Sequence, residues 1–122
     1  MSKFNRPEVL EGYTSRASTP CGSFFLTLND DGEHLREVRM CIGKSGNCVR
    51  MLFETIAILL SVMLQEDIAR EKIAKILTKQ MEANCGNCFV IKGDKYTSCI
   101  DYVIHRILEN MASRGEIKLE KD

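Results

Sequence analysis

The spacing of apolar and polar positions changes period along this chain, and the changes divide it into stretches of different structure. The first third has a short period. Residues 9–17 predict a strand, weakened by Gly12, and Thr19-Pro20-Cys21-Gly22 has turn composition, with proline setting φ and glycine accepting a positive one. Ser23, Phe24, Phe25, Leu26, Thr27 and Leu28 favour a second strand, and Asn29-Asp30-Asp31-Gly32 is a hairpin signal. In residues 37–42, Val38, Met40 and Ile42 fall on one face and Glu37, Arg39 and Cys41 on the other. Three strands joined by tight turns predict an antiparallel meander.

From residue 48 to residue 66 the period becomes helical. Val49, Leu52, Phe53, Ile56, Leu59, Leu60, Met63 and Leu64 follow the i, i+3, i+4 rule, and Ala57, Ile58 and Val62 widen the stripe almost all round. Such a helix needs cover on more than one side, which predicts a homo-oligomer, most simply a dimer. A second helical segment, residues 68–81, turns Ile68, Ile73, Ile76 and Leu77 inward and Arg70, Glu71, Lys72, Lys75 and Lys79 outward. Residues 82–88 read as loop, Phe89-Val90-Ile91 and Gly93-Asp94-Lys95 as a short strand and turn. Ser98 caps a last helix of about 16 residues, with Ile100, Val103, Ile104, Ile107, Leu108 and Met111 at helical spacing. The predicted fold class is α+β: a β-meander of about three strands packed on a long central helix, with two further helices. Residues 9–112 form the domain, between a short N-terminal tail (1–8) and a charged, frayed C-terminal tail (113–122).

Composition narrows the class. A chain of 122 residues suits one hydrophobic core. Lys plus Arg (17) equals Asp plus Glu (17), so no global field draws the protein to nucleic acid or to an anionic membrane. The opening residues 1–7 lack the apolar stretch of an export signal, and the apolar run of residues 56–64 is broken by Ser61 and falls short of a bilayer span. A cytoplasmic protein with reduced cysteines is expected.

Five of the six cysteines, Cys21, Cys48, Cys85, Cys88 and Cys99, occupy turn or helix-start positions, whereas Cys41 sits in an apolar run. Cys85-Gly86-Asn87-Cys88 has the knuckle spacing of a zinc site, with the remaining ligands coming singly from Cys21, Cys48 and Cys99. The same pair suits a redox dithiol, and Cys48, in a first helical turn where the dipole favours thiolate, suits either metal or packing. Gly43, Lys44, Ser45, Gly46 and Asn47 lie between a predicted strand and a long helix, so their backbone N–H groups and the Lys44 ammonium suit an anion or a phosphate. The spacing is not that of the Walker loop, and a tight turn capped by Asn47 explains the same residues. Arg16, Arg36, Arg39, Arg50 and Lys44 make a basic patch if their faces align, and otherwise a solvated face. His34 and His105 have no partner that makes either a ligand by itself. Asp101 complements a helix dipole, and Glu54 faces solvent.

In order along the chain, Arg6-Pro7-Glu8-Val9-Leu10-Glu11-Gly12, Thr19-Pro20-Cys21-Gly22-Ser23-Phe24-Phe25 with Thr27, Asn29 and Asp30, Glu37-Val38, Gly43-Lys44-Ser45-Gly46-Asn47-Cys48 and Thr97-Ser98-Cys99-Ile100-Asp101 resemble the TSCPD domain. That domain occurs at the C-terminus of many ribonucleotide reductases and as free-standing small proteins. Its signature proline is Ile100 here. The resemblance implies that Cys21, Cys48, one of Cys85 and Cys88, and Cys99 are the recurrent cysteines, and through them a four-cysteine zinc site. It also implies a reductase-associated module without the reductase barrel: a non-enzymatic protein that binds a nucleotide-like anion or a ribonucleotide reductase subunit. A free-standing sponge for nucleotide-derived signals and a Cys-x-x-Cys redox protein are the alternatives.

Overall fold

The computed structural model describes residues 5–20, 22–42, 47–81 and 88–118, and these form two compact units, Met1–Ile68 and Ala69–Asp122. The first unit contains β1 (Glu11–Thr19), β2 (Gly22–Asp30), β3 (Leu35–Ile42) and α1 (Asn47–Gln65). The second contains α2 (Arg70–Met81), β4 (Phe89–Ile91), β5 (Asp94–Tyr96) and α3 (Cys99–Ser113). The α+β class and the three-strand meander packed on a long helix hold.

In the first unit the strands pair antiparallel in the order β1-β2-β3. The register places Ala17, Phe24, Leu26, Leu28, Val38, Met40 and Ile42 on one face, where all are buried. Gly12 lies inside β1, where a Cβ would meet the Leu28 carbonyl and Asn29 of β2, so the glycine that weakens the strand on paper is what lets it pair. α1 packs along β3, with Ala57, Leu60 and Leu64 buried and Phe53 edge-on to Phe24 at 5.1 Å. β3 is an edge strand, and an edge leaves backbone groups unpaired. Ser61 resolves this: its hydroxyl accepts from the Val38 N–H (3.0 Å) and donates to the Val38 carbonyl (3.1 Å), while the Gln65 amide donates to the Arg36 carbonyl. Ser61, which interrupts the apolar run, is the residue that covers the edge.

Arg36 is buried at the end of α1, against both surface readings of it, a solvated face or a basic patch. It donates to Asp31 (2.8 Å), Asp67 (2.7 Å) and the Leu64 carbonyl (2.9 Å). Burial opposes the charge on Asp31, but hydrogen bonds from Arg36 and from the backbone N–H groups of His34 and Glu33 outweigh it and hold the carboxyl at about 2.

In the second unit β4 and β5 pair through a turn in which Lys92 (φ 51) and Gly93 (φ 87) are both left-handed, as a two-residue hairpin requires. α3 buries Tyr102, Val103, Ile104, Ile107, Leu108 and Met111. Two expectations for α2 fail. Arg70 is buried and Ile76 is 47% exposed, because Arg70 pairs with Glu116 at 3.2 Å and Ile73 takes the inward position. Within the expected tail, residues 114–117 are held by the same pair: Glu116 also binds Arg114 at 2.8 Å, and Ile117 is buried, while residues 119–122 lie outside the described residues.

Candidate functional site

Two polar clusters gather residues that carry the family resemblance. In the first unit Arg6, Asn29 and Glu37, far apart in sequence, meet at one carboxylate. Arg6 Nε donates to Glu37 Oε2 at 2.8 Å and Asn29 Nδ2 to Glu37 Oε1 at 3.2 Å. The Arg6 hydrogen bond, reinforced by Asn29, lowers the Glu37 pKa against the opposing effect of burial. Nearby on the outer sheet face Thr14 and Thr27 share a 2.7 Å hydrogen bond, and the Arg16 guanidinium lies over Phe25 at 5.9 Å.

The second cluster is built on Thr97-Ser98-Cys99-Ile100-Asp101 at the start of α3. Ser98 is extended (φ −167, ψ 168), and its hydroxyl accepts the Asp101 N–H at 3.0 Å. The Asp101 carboxylate reaches back to accept the Thr97 N–H at 2.9 Å, a capping box whose return bond lands one residue early. Thr97 Oγ1 donates to the Met81 carbonyl, tying the end of α2 to the start of α3. Ile100, where the signature has proline, is the second residue of the helix, so its N–H lies among the first-turn donors that have no partner within the helix. Ser98 and Asp101 therefore set the start without proline.

One helical turn on, His105 Nδ1 lies 3.1 Å from Asp101 Oδ1 and 2.8 Å from the Asp101 carbonyl. The imidazole is half-exposed and stands edge-on to Tyr96 (5.4 Å between ring centres), and Tyr96 is edge-on to Tyr102 (5.3 Å). Burial raises the Tyr96 phenol, which accepts from Arg106 at 3.2 Å. His105 also lines a groove of about 1150 Å³ beside Lys75, Thr78, Lys79 and Glu109. Asp101 and His105 are thus joined in a way the chain itself foreshadows: a carboxylate in the first turn and a histidine four residues on share one helix face.

The residues expected to bind ligand or metal lie only partly within the described residues. Gly43, Lys44, Ser45 and Gly46 lie outside the described residues, as do Cys21 and Cys85, and Asn47 opens α1. Cys48 is exposed in the first turn of α1, Cys88 is exposed just before β4, and Cys99 is buried as the first residue of α3. Of the arginines that could join a basic patch, Arg36 is internal and Arg50 pairs with Glu54 at 3.3 Å, while Lys44 lies outside the described residues.

No curated protein and no solved structure matches this chain. The TSCPD domain family matches residues 2–112, nearly the whole length, and the matched span contains both polar clusters. The chain belongs to the TSCPD domain family.

Proposed function

We propose that this protein is a cytoplasmic, non-catalytic accessory module associated with ribonucleotide reductase, acting by binding a nucleotide-like anion or a reductase subunit. The observation that carries this reading is the way the signature is used. The Thr97 N–H and hydroxyl, the Ser98 hydroxyl and the Asp101 carboxylate are engaged in holding the start of α3. Side chains committed to local backbone bonds stabilise a shape; they are not presented to a reacting group. Family membership supports the reductase association.

The anion site in this reading is residues 43–47, the segment that links β3 to the 19-residue helix α1 and ends on its first residue, Asn47. Titration calorimetry of the intact protein with nucleoside mono-, di- and triphosphates is the direct test. Binding that weakens at least about tenfold in Lys44→Ala, with unchanged circular dichroism, is the expected result. Equal affinity in that variant removes the site, and turnover of any nucleotide removes the non-catalytic reading. Mixing with a purified reductase catalytic subunit tests the partner.

Zinc would be structural here. The family resemblance draws its four ligands from Cys21, Cys48, one of Cys85 and Cys88, and Cys99, and of these Cys21 and Cys85 lie outside the described residues. Metal analysis of the purified protein decides: one zinc per chain supports the clasp, and a folded zinc-free chain dismisses it.

A further inference from the structure

The side of α1 turned away from β3 is apolar over about half its circumference. Met51 (65%), Leu52 (63%), Ile58 (63%), Leu59 (59%) and Val62 (52%) are strongly exposed, with Val49 and Ile56 beside them. Along the middle of this band Cys48, Leu52, Thr55, Leu59 and Val62 repeat at intervals of four, three, four and three, the seam spacing of paired helices.

We propose that this band is the contact surface for a second copy of the chain, pairing α1 with α1. Three features select that occupant. First, the seven side chains present roughly 700 Å² of apolar surface, more than a typical monomer shows in one patch and close to the roughly 800 Å² per partner of a stable interface. Second, the band carries no charge along its centre until Glu66 at its end, and the flanking Arg50 is already paired with Glu54, so nothing in it selects a charged partner. Third, a symmetric pair covers both bands at once, whereas a different partner needs a matching band of its own.

By length and composition Cys48–Gln65 is also a candidate membrane span. Its other side, however, is fastened to β3 through Ser61 and Gln65, and its rim carries a single basic residue, Arg50, already paired with Glu54, where a surface-lying helix is rich in Lys and Arg.

The test is light-scattering mass against concentration for the full chain, for Ile58→Glu/Leu59→Glu, and for Val90→Glu as a control of equal exposure in the second unit. A dimer in the wild type and the control, with dissociation at least about 100-fold easier in the double variant and unchanged circular dichroism, is expected. A wild-type monomer at 100 μM (on the order of a weak-dimer threshold) overturns the proposal, as does a dimer indifferent to the double variant. So does monomeric co-sedimentation with anionic phospholipid vesicles.

Discussion

α1 and α3 end in the same backbone geometry, reached with different residues. At the end of α3 the Glu116 N–H bonds the Met111 carbonyl and the Gly115 N–H the Ala112 carbonyl, with Gly115 left-handed (φ 77). At the end of α1 the Ile68 N–H bonds the Met63 carbonyl and the Asp67 N–H the Leu64 carbonyl, with Asp67 left-handed (φ 57). Both are Schellman turns. Glycine adopts this conformation without steric cost, and aspartate does not. What compensates at α1 is Arg36, which grips the Asp67 carboxylate and the Leu64 carbonyl together. α3 has an arginine too, but there Arg70 and Arg114 bind Glu116, the residue after the turn. The difference teaches that a helix stop can be written locally, as one glycine, or distributed between a strand and a helix end.

The sharpest way to break the comparison is Arg36→Met. It withdraws one guanidinium from Asp31, Asp67 and the Leu64 carbonyl at once, in a position only 9% exposed. Removing one side of a buried ionic group costs about 3–5 kcal/mol. Urea unfolding at neutral pH should show a loss of that size. A loss below about 1 kcal/mol would mean that the cluster behaves as a surface ion pair.

That contrast also explains how far the chain could be read. Ser98 with Asp101 three residues on is a helix-start signal, and the structure uses both as read. The meander was legible because β2 and β3 alternate cleanly and their turns are short. Arg36 was not, since its partners lie up to 31 residues away and an arginine in an alternating strand looks solvent-facing. Arg70 fails for the same reason, its partner Glu116 being 46 residues further on. Ile76 follows from it: once the α2 face is set by Arg70 and Ile73, Ile76 is rotated outward. At the site, the Asp101–His105 pair was present as an i,i+4 spacing but carried no weight without the buried carboxylate. The glycine turn and two of the five cysteines fall outside the described residues.

A smaller effect comes from acid. The Asp31 carboxyl titrates at about 2, below its ordinary 3.8. A lowered carboxylate contributes stability above its unfolded pKa and loses it as pH falls towards the folded value. The window is therefore from about pH 4 down to about pH 2, and the contribution is on the order of 1–2 kcal/mol, as the side chain is 20% exposed. Asp31→Asn should weaken the protein by that amount at pH 7 and flatten its stability profile across the window. A profile as steep as wild type would assign the acid sensitivity elsewhere, with Glu37, whose pKa is also lowered, the next group to test.

The smallest effects sharpen the comparison most, because they isolate the turn itself. A Cβ at Gly115 meets nothing within 4 Å, so Gly115→Ala measures only the left-handed backbone, at about 1 kcal/mol. Asp67→Gly runs the other way. It relieves the same backbone cost but gives up the 2.7 Å bond to Arg36, a pair in which the carboxylate is 36% exposed and which is worth about 1 kcal/mol. The two terms oppose, and the expected net change is close to zero. In an Arg36→Met background the second term is gone, and Asp67→Gly should then stabilise by about 1 kcal/mol. Four urea midpoints complete this cycle: wild type, each single variant and the double. A coupling near zero would show that Arg36 holds α1 through the Leu64 carbonyl and Asp31 alone. A coupling of about 1 kcal/mol would make the arginine the reason an aspartate can stand where α3 needs glycine.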